Sequence, residues 1–462
     1  MLSKKLVKSF LVWSIPFVSL VIILFFINII KKDYLYGHNL LYTARGPYNW
    51  LYDYTVIPLK KFYIHAVNDN KEYLPKIKLY LSEKKLNYFL TNIPDSAKTW
   101  QKGKIIHDLD RKNLRDVSIR LRGDNPENWF MEKQSFRVKL RKKEMHGRYR
   151  YYNFQPFEII VLVSNRLAKS AKIYSQRVRP VELLINEEKK GLYLEVEHLN
   201  ENFLRRNKVM PVNLYKGENM NQEMKIALPY YLFSNSGLWS KQANFNFYPE
   251  ENKEDLKLFL RILNDSRNNS SSFKIFKSYL DEEYIGRYLA YLVLSQNFHT
   301  GRHHNNRLIF DPWKGQIFPV VTDPSFDFNT NTNLDYSNND LISFLNQSSY
   351  FIDLKFQYLK KLLFEENIID KEINYLINSK QSINNVIRKD PILTNIIPEI
   401  FIKNENFKMI ESAISVLKDR KKILKAELKR NPNVYWKKEE NNFSLILNDQ
   451  LPISKIELTF DE

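Results

Sequence analysis

Residues 117–140 read VSIRLRGDNPENWFMEKQSFRVKL, and this stretch decides the interpretation of the fold. Apolar and polar residues alternate in residues 117–123 and again in residues 135–140, and a period of two is typical of a strand with one buried face. The connection between the two runs is rich in Asp, Asn and Pro, which form turns. The stretch therefore predicts two antiparallel strands joined by a turn-rich connection.

Similar alternation occurs on both sides of this stretch. Residues 76–81, KIKLYL, predict a strand, which leads into a helix near Ser82 because apolar spacing changes there. Residues 181–197, VELLINEEKKGLYLEVE, predict a second hairpin, with its tip running from Glu187 to Gly191. The first half of the chain is therefore expected to be rich in β-structure.

Farther along the chain the apolar residues take up helical spacing. Residues 282–298 predict a buried helix, and residues 407–430 predict an amphipathic helix. Between them, residues 307–311 and 316–323 predict two strands joined by a turn at Pro312–Gly315.

Hairpins followed by helices predict an α+β architecture with a helical lobe. The length of 462 residues is enough for several domains. The predicted organisation is a transmembrane anchor at 1–32, a juxtamembrane linker at 33–73, a β-rich core at 74–330, a helical lobe at 331–431 and a short β tail at 432–462.

Composition excludes several classes of protein. The chain has 71 Lys and Arg against 52 Asp and Glu, for a net charge of +19, and it has no Cys. The lack of Cys excludes disulfides, thiolate metal sites and a cysteine nucleophile, and the few Gly residues fit neither GxGxxG nor GxxxxGK[ST]. The positive charge fits an anionic lipid, polymer or nucleotide. Nucleic-acid binding is not expected, because no nucleic-acid reading motif accompanies the charge.

Residues 9–30, SFLVWSIPFVSLVIILFFINII, contain no charged side chain. This length crosses a hydrocarbon core of ~30 Å, and no small-residue cleavage site of a signal peptide follows the apolar run. The sequence therefore predicts an uncleaved single-pass membrane anchor. Three lysines precede the segment and two follow it, so the positive-inside rule predicts a cytoplasmic N-terminus and an extracytoplasmic location for the bulk of the chain.

Four motifs together resemble one known family. RLRGDNPENWFMEKQSFRVKL (120–140) resembles the RG…KKSYRIKF signature of the CotH family, which are atypical protein kinases named after a spore-coat protein. GLYLEVEHLNENFL (191–204) is similar to that family's G-VYL-E-E segment, and residues 295–328 are similar to its catalytic stretch, in which N-D-x4-HN leads to PWDxD. LPKIKLYLSEKKL (74–86) matches its opening strand. The resemblance implies a diverged protein-kinase-like fold with a β-rich N-lobe and a helical C-lobe.

The resemblance also implies a site for ATP and Mg²⁺. Asp323 matches the family's metal-binding Asp and Asn306 its conserved Asn, and both offer the hard oxygen ligands that Mg²⁺ prefers. A lysine matches the position that contacts phosphate, two arginines match further basic positions, and one of two paired glutamates is expected to hold that lysine in an ion pair. The positions matched to nucleotide contacts are Arg122, Lys133, Arg137, Glu195 and Glu197.

The sequence departs from the family at the catalytic acid. Five residues before its conserved Asn the family carries an Asp, whereas this chain has Gly301. The nearest side chains that can accept a proton are His299, His303 and His304. Zinc is the weaker alternative for these histidines, because zinc needs three or four ligands at defined spacing. The second acid of PWDxD is replaced by Ser325.

Two functions follow from the resemblance and its departures. The first is a membrane-anchored kinase that transfers the γ-phosphoryl group of ATP to a hydroxyl of a protein or envelope substrate. The second is a pseudokinase that kept the fold, lost the acid and acts as a binding or scaffold module, with an anionic envelope polymer or a membrane protein as its partner. The first function is preferred because the Asp and Asn expected to bind the metal are present.

Overall fold

A computed structural model describes most of the chain after the predicted linker. The predicted anchor and the linker lie outside the described residues, apart from Tyr73. Within the described ranges, no helix has both the length and the apolar character needed to cross a membrane. The described residues are 73–89, 91, 95–110, 113–123, 129, 133–141, 150–221, 226–227, 231–244, 249, 251–329, 332–390, 405–430, 434–439 and 442–447.

Seven strands form a closed barrel in the first half of the described chain. They are β1 (Lys76–Tyr80), β2 (Gln101–Ile106), β3 (Leu114–Leu121), β4 (Phe136–Leu140), β5 (Tyr151–Pro156), β6 (Val178–Ile185) and β7 (Glu188–Glu197). The order is β1-β2-β3-β4-β5-β7-β6, and β1 closes the barrel by pairing parallel to β6. The predicted pairing of β3 with β4 is confirmed, with Leu121 opposite Phe136. Barrel closure was not predicted.

Among the described residues, three α-helices accompany the barrel strands. They are α1 (Glu83–Tyr88), α2 (Asp95–Lys98) and α3 (Ile159–Ser170). The helix predicted near Ser82 is confirmed as α1, for which Ser82 is the N-cap. The third helix, α3, lies between β5 and β6 in sequence and buries one face in the larger core described below.

The predicted tip of the second hairpin is wrong. The turn between β6 and β7 is formed by Asn186 and Glu187, whose φ angles of 51° and 66° are typical of a two-residue type I′ turn. Gly191 instead lies inside β7, at a shift in register, with a φ of +86°. A Cβ at this position would lie 2.0 Å from Oδ2 of Asp390, so the glycine is required by a close approach of that side chain.

A second sheet and a helical lobe follow the barrel. The sheet has the order β11-β8-β12-β13, and the remaining strands form two short hairpins. The strands are β8 (Asn213–Gly217), β9 (Met220–Asn221), β10 (Ile226–Ala227), β11 (Trp239–Ala243), β12 (Asn306–Asp311), β13 (Gln316–Pro319), β14 (Val434–Glu439) and β15 (Asn442–Leu447). The predicted strands at 307–311 and 316–323 are confirmed as β12 and β13, although β13 ends earlier than expected. The last hairpin confirms short strands in the predicted β tail.

Further α-helices lie in this part of the described chain. They are α4 (Glu201–Arg206), α5 (Glu254–Asp265), α6 (Ser270–Ser278), α7 (Glu282–Ser295), α8 (Asp340–Leu345), α9 (Ser349–Lys360), α10 (Ile368–Ile387) and α11 (Glu405–Glu427). Both predicted long helices are confirmed: α7 is buried over nearly its whole length, and α11 buries Ile410, Leu417 and Leu424. The mixed α+β class is therefore confirmed.

Two hydrophobic cores hold these parts together. The smaller core fills the barrel, and the larger one extends from Phe157 to Leu424. Strand β7 belongs to both, because Tyr193 points into the barrel while Leu192 and Leu194 point into the larger core. The larger core includes residues on both sides of the predicted domain boundary at residue 330. Because successive side chains of β7 point to opposite faces, this strand packs into both cores and so connects the two lobes.

Candidate active site

Two loops lie side by side next to the second sheet. The first, residues 296–305, follows α7, and the second, residues 320–328, follows β13. Oδ1 of Asn297 accepts hydrogen bonds from the backbone N–H groups of Ser325 (3.0 Å) and His299 (3.1 Å). The Ser325 hydroxyl donates to the same oxygen at 3.0 Å, and both side chains are buried. Ser325 therefore joins the two loops, and this explains how a serine at the position of the second acid serves the site.

Asp323 lies in the second loop in an unusual backbone conformation. Its φ of 43° falls in the left-handed region, which is sparsely populated by residues other than Gly. The backbone N–H donates to Oε1 of Gln176 at 3.1 Å and so helps to hold this conformation. The carboxylate is 39% exposed, and its Oδ2 lies 3.6 Å from Nδ1 of His299. Strained residues of this kind cluster at ligand-binding and catalytic sites.

The tautomer of His299 follows from its neighbour. Nδ1 lies 2.8 Å from the backbone oxygen of Asp323. Because a carbonyl oxygen only accepts, Nδ1 carries the hydrogen, and Nε2 of the neutral ring is left as an acceptor. The ring also meets that of His304 edge-on, with 5.3 Å between centroids. Burial lowers the pKa of His304, and His299 lowers it further. The structure thus brings His299, His304 and Asp323 together.

His303 lies on the other side of the same loop. Its backbone oxygen accepts a hydrogen bond from Asn219 at 2.6 Å, and its ring packs against Tyr231 with 5.3 Å between centroids. Of the three histidines that the sequence offers as bases, His299 has a ring nitrogen, Nδ1, that lies 3.6 Å from the Asp323 carboxylate.

Asn306 is buried at the start of β12 and braces the first loop. Its Nδ2 donates to the backbone oxygens of Gly301 (2.6 Å) and His304 (2.9 Å). Its Oδ1 accepts a hydrogen bond from Asn339 at 3.0 Å. An amide oxygen has two lone pairs, so one remains for a cation.

The position of the missing acid is sterically open. A Cβ added to Gly301 would meet only ring atoms of His304 in the described structure, at 3.7 and 3.9 Å. These are ordinary van der Waals distances, so the loop has space for a side chain that the sequence does not provide.

A further carboxylate faces this cluster. Glu158 is the N-cap residue of α3, and its side chain makes no capping hydrogen bond. Desolvation raises the pKa of Glu158, the Asp323 carboxylate raises it further, and Arg122 and His299 lower it. Two carboxylates close enough to repel one another, with one pKa raised, are typical of sites that bind a cation or move a proton.

The barrel presents arginines to the same region. Arg120 on β3 and Arg137 on β4 are directly opposite in the antiparallel register, and like charges at such positions destabilise a strand pair. Burial lowers the pKa of His198 far below its usual value, and nearby arginines lower it further. These are Arg120, Arg122, Arg137 and Arg307. These arginines concentrate positive charge near His198, and Glu218 pairs with one of them, Arg307, at 3.3 Å.

Polar residues of β5 orient two of these guanidinium groups. Arg122 Nη1 donates to Oε1 of Gln155 at 2.6 Å, and Arg137 Nε donates to Oδ1 of Asn153 at 2.7 Å. Both β5 residues are buried. The arginines are therefore held in place before any ligand is bound, which reduces the conformational entropy lost on binding.

Lys133 is paired elsewhere. Its Nζ donates to the Asp390 carboxylate and to the backbone oxygen of Leu192 (2.8 Å). Lys133 is 7% exposed and Asp390 0%. Gln176, which binds the backbone of Asp323, contacts β7 at Glu197. Leu192 lies five residues earlier on the same strand, or about 16 Å away at ~3.3 Å per residue. The structure does not bring Lys133 to the Asp323 cluster.

The two predicted glutamates have arginine partners. Glu195 accepts from Arg179 at 2.7 Å and lies 3.2 Å from Nε2 of His107. Burial would raise the pKa of Glu195, but the hydrogen bond and charge of His107, together with Arg179, hold it below the usual value. Glu197 accepts from Arg206 at 2.7 and 2.9 Å. Neither carboxylate forms the expected ion pair with the lysine.

His107, Asp108 and Glu195 lie close enough together to suit a metal ion. However, Arg179 donates to both oxygens of Asp108 at 2.7 Å as well as to Glu195. The guanidinium already supplies the positive charge in this cluster, and we assign no metal to it.

Comparison with known families decides the identity of the fold. A family model described as CotH kinase protein matches residues 119–424, which run from within β3 to within α11 and include both loops of the candidate site. The chain belongs to the CotH family. Membership gives a kinase-like phosphotransferase as the coarse functional assignment, and it confirms the resemblance seen in the four motifs.

Two further comparisons add little to the CotH assignment. No curated protein matches the chain. Among solved structures, it is similar to a chain of the Shewanella oneidensis MR-1 toxin–antitoxin complex of HipA, HipB and operator DNA, with 14% identity and a TM-score of 0.24. The match covers 59% of this chain and 57% of that chain, so little more than half of the HipA–HipB chain is spanned. A TM-score of this size carries no structural argument.

Sequence reasoning on this CotH-family chain missed three residues of the cleft. Glu158 precedes a helix without a recognisable motif, and Arg307 lies in a buried strand. Arg120 could have been found, because it lies on β3 two residues before Arg122, which follows the end of that strand. The assigned roles in nucleotide and metal binding stay predictions for all residues of the site.

Proposed function

We propose that this CotH-family chain transfers the γ-phosphoryl group of Mg-ATP to a hydroxyl of a protein or envelope substrate in the cleft between barrel and helical lobe. One observation carries this proposal. The exposed carboxylate of Asp323 lies beside His299, and Glu158 interacts electrostatically with both this carboxylate and Arg122, one of two arginines that residues of β5 orient. Phosphoryl transfer depends mainly on positioning and on cations that offset phosphate charge, and this cleft offers groups for both.

The donor set suits Mg²⁺. Asp323 and Glu158 supply carboxylate oxygens, and Asn306 keeps one free lone pair on its amide oxygen. These are hard oxygen ligands of the kind that Mg²⁺ prefers. A bound Mg²⁺ would offset charge on the phosphate oxygens.

His299 is the base in this proposal. Nε2 accepts the proton of the substrate hydroxyl, whose oxygen forms the new bond to the γ-phosphorus while the bond to the β–γ bridging oxygen breaks and ADP leaves. Nδ1–H stays bonded to the backbone oxygen of Asp323, which fixes the ring orientation. Arg122 and Arg137 orient the phosphates from the barrel side. General base catalysis of this kind contributes about 10²–10⁴-fold.

Thermal unfolding of the full chain with and without Mg-ATP tests nucleotide binding. Ligand at 100 times its Kd stabilises a protein by about 2.7 kcal/mol, so the midpoint is expected to rise by several degrees. Asp323→Asn should abolish the rise. Asp353→Asn, an exposed carboxylate on α9, is the matched control and should keep it. A rise that survives Asp323→Asn would remove this residue from the site.

A second function is favoured by one feature, the glycine at position 301. Without an acid there, the cleft could bind a nucleotide and act as a scaffold that does not transfer phosphate. Incubation with ATP labelled at the γ-phosphate separates the two functions. Label that appears in an acceptor with the parent protein and not with His299→Gln supports the kinase. Nucleotide binding without any incorporation supports the scaffold.

The location of the protein is also a proposal. Residues 9–30 anchor the chain, with the N-terminus in the cytoplasm and the CotH fold outside it. Because the chain has no Cys, single cysteines report topology directly. A membrane-impermeant maleimide should label Ser278→Cys in intact cells and Ser3→Cys only after lysis. Labelling of Ser3→Cys in intact cells would reverse the proposed orientation.

A further inference from the structure

A large cavity lies next to the first loop of the cleft. Its volume is about 620 Å³, and it is bounded by α5, by the start of α8 and by residues 231–236. A cavity of this size is within the range of ligand sites. Its lining consists of Tyr231, Phe233, Ser234, Asn235, Ser236, Lys257, Leu260, Arg261, Leu263, Asn264, Arg267 and Asp340.

Positive charge predominates in this cavity. Arg261, Arg267 and Lys257 line it, against a single lining carboxylate from Asp340, and Lys257 is ion-paired with Glu254 at 2.6 Å. Arg261 is exposed and has no ion-pair partner among the described residues. Arg302 lies 3.7 Å from Asp340 and so offsets the one negative charge. The cavity is therefore suited to an acidic ligand.

The cavity is attached to the active-site loop. The backbone N–H of Leu232, next to Tyr231 in the cavity wall, donates to the backbone oxygen of Arg302 at 3.1 Å. The guanidinium of Arg302 lies over the Tyr231 ring, 5.2 Å from its centroid. Arg302 is four residues from Asn306, a distance of at most about 14 Å along the chain. A ligand in the cavity therefore lies next to the loop that carries His299 and leads to Asn306.

We propose that this cavity binds an acidic peptide segment of the protein that carries the acceptor hydroxyl. The proposal rests on the proposed kinase function for the identity of the acceptor, whereas the binding itself does not depend on it.

The lining favours a peptide over an anionic polymer. Leu260, Leu263 and Phe233 give the cavity an apolar floor, and the amides of Asn235 and Asn264 offer donors and acceptors near the opening. A peptide has apolar side chains and backbone amides that match both features. A polyphosphate or phosphodiester chain would use only the positive charges.

Fluorescence anisotropy on the full chain tests the proposal without ATP. The probes are a labelled short peptide with one Ser flanked by Glu on one side, and the same peptide with Lys in place of Glu. Arg261→Glu with Arg267→Glu is the test variant. Lys84→Glu with Lys314→Glu is the matched control, because it changes net charge equally at exposed sites outside the cavity. Arg261→Gln with Arg267→Gln is a milder second test variant.

The Glu peptide is expected to bind the parent and the control variant alike, and to bind the reversed variant about tenfold to a hundredfold more weakly. The glutamine variant should be intermediate, and thermal midpoints of all variants verify folding. Equal binding of the Lys peptide, or binding of the Glu peptide that both test variants retain, would overturn the proposal. Sodium polyphosphate serves as a competitor in the same assay. If it displaces the peptide and binds more tightly through the same two arginines, the proposal is also overturned. Because ATP is absent, a failed kinase assay leaves these results interpretable.

Discussion

The buried pair of Lys133 and Asp390 offers the sharpest test of how this CotH-family chain differs from the expected nucleotide contacts. Lys133→Met removes one charge and leaves the Asp390 carboxylate, which is 0% exposed, with the backbone N–H of Leu192 as a remaining donor at 2.7 Å. Breaking a buried ion pair by removing one partner costs about 3–5 kcal/mol. Asp390→Leu should have a similar cost, because it leaves the ammonium without its counter-charge.

The double variant Lys133→Met with Asp390→Leu is expected to recover part of this loss. Replacing both members of a buried pair by apolar residues is often close to neutral, and the site borders apolar residues of both cores. At about 2–4 °C per kcal/mol for a large domain, each single variant should lower the midpoint by about 6–20 °C. The double variant should lower it by less than the sum of the two single changes.

Thermal unfolding of the four proteins, followed by tryptophan fluorescence, measures this cycle. Mg-ATP titrations below the transition are then made on the same variants. If Lys133 acts only in the ion pair, folded Lys133→Met binds Mg-ATP as the parent does. An unchanged midpoint together with lost nucleotide binding would refute the reasoning, because it would mean that the lysine contacts phosphate and contributes little to stability.

Three further changes test the cleft. Gly301→Asp introduces the acid that relatives carry, and phosphate incorporation should rise about tenfold or more; an unchanged rate with intact ATP binding would contradict this. Glu158→Gln should raise the thermal midpoint relative to the parent as pH rises above the ordinary glutamate pKa of about 4.3, because a raised pKa makes the ionised form costly in the folded state. The two proteins should converge in acid. The parent should lose stability as pH falls through about 6.5, because unfolded His198 binds a proton that the buried, arginine-surrounded ring does not. His198→Gln should lack this loss. Thermal midpoints measured across the pH range test this, and an equal loss in both proteins would contradict the assignment to His198.

Local patterns predicted the elements well where one face is buried. The alternation in β3 and β4 was decisive because the apolar residues of β4, and those of β3 from Val117 onward, point into the barrel, and the helical spacing of α7 was clear because almost every residue is buried. Gly191 was misread as a turn residue. Its positive φ belongs to a strand that accommodates Asp390, a side chain about 200 residues later, and no local pattern carries that information.

The candidate site was predicted only in part for the same reason. The family motifs brought Asp323, Asn306 and the histidines to one region, since these residues lie within two loops that Asn297 joins. Lys133 and Asp390 are separated by 257 positions, so their pairing depends on the docking of α10 against the barrel. The nearness of Glu158 to Asp323 likewise depends on how the lobes pack.

The parallel pairing of β1 with β6 has a consequence for synthesis of the chain in the cell. Lys76 pairs with Glu182, so β1 leaves the ribosome roughly 100 residues before its closing partner, or about 5–20 s earlier at about 5–20 residues per second. During that interval one edge of β1 is an open template for other extended chains. The lysines at 76 and 78 alternate with the apolar residues of this strand, and their charge would oppose aggregation of nascent chains until the barrel closes.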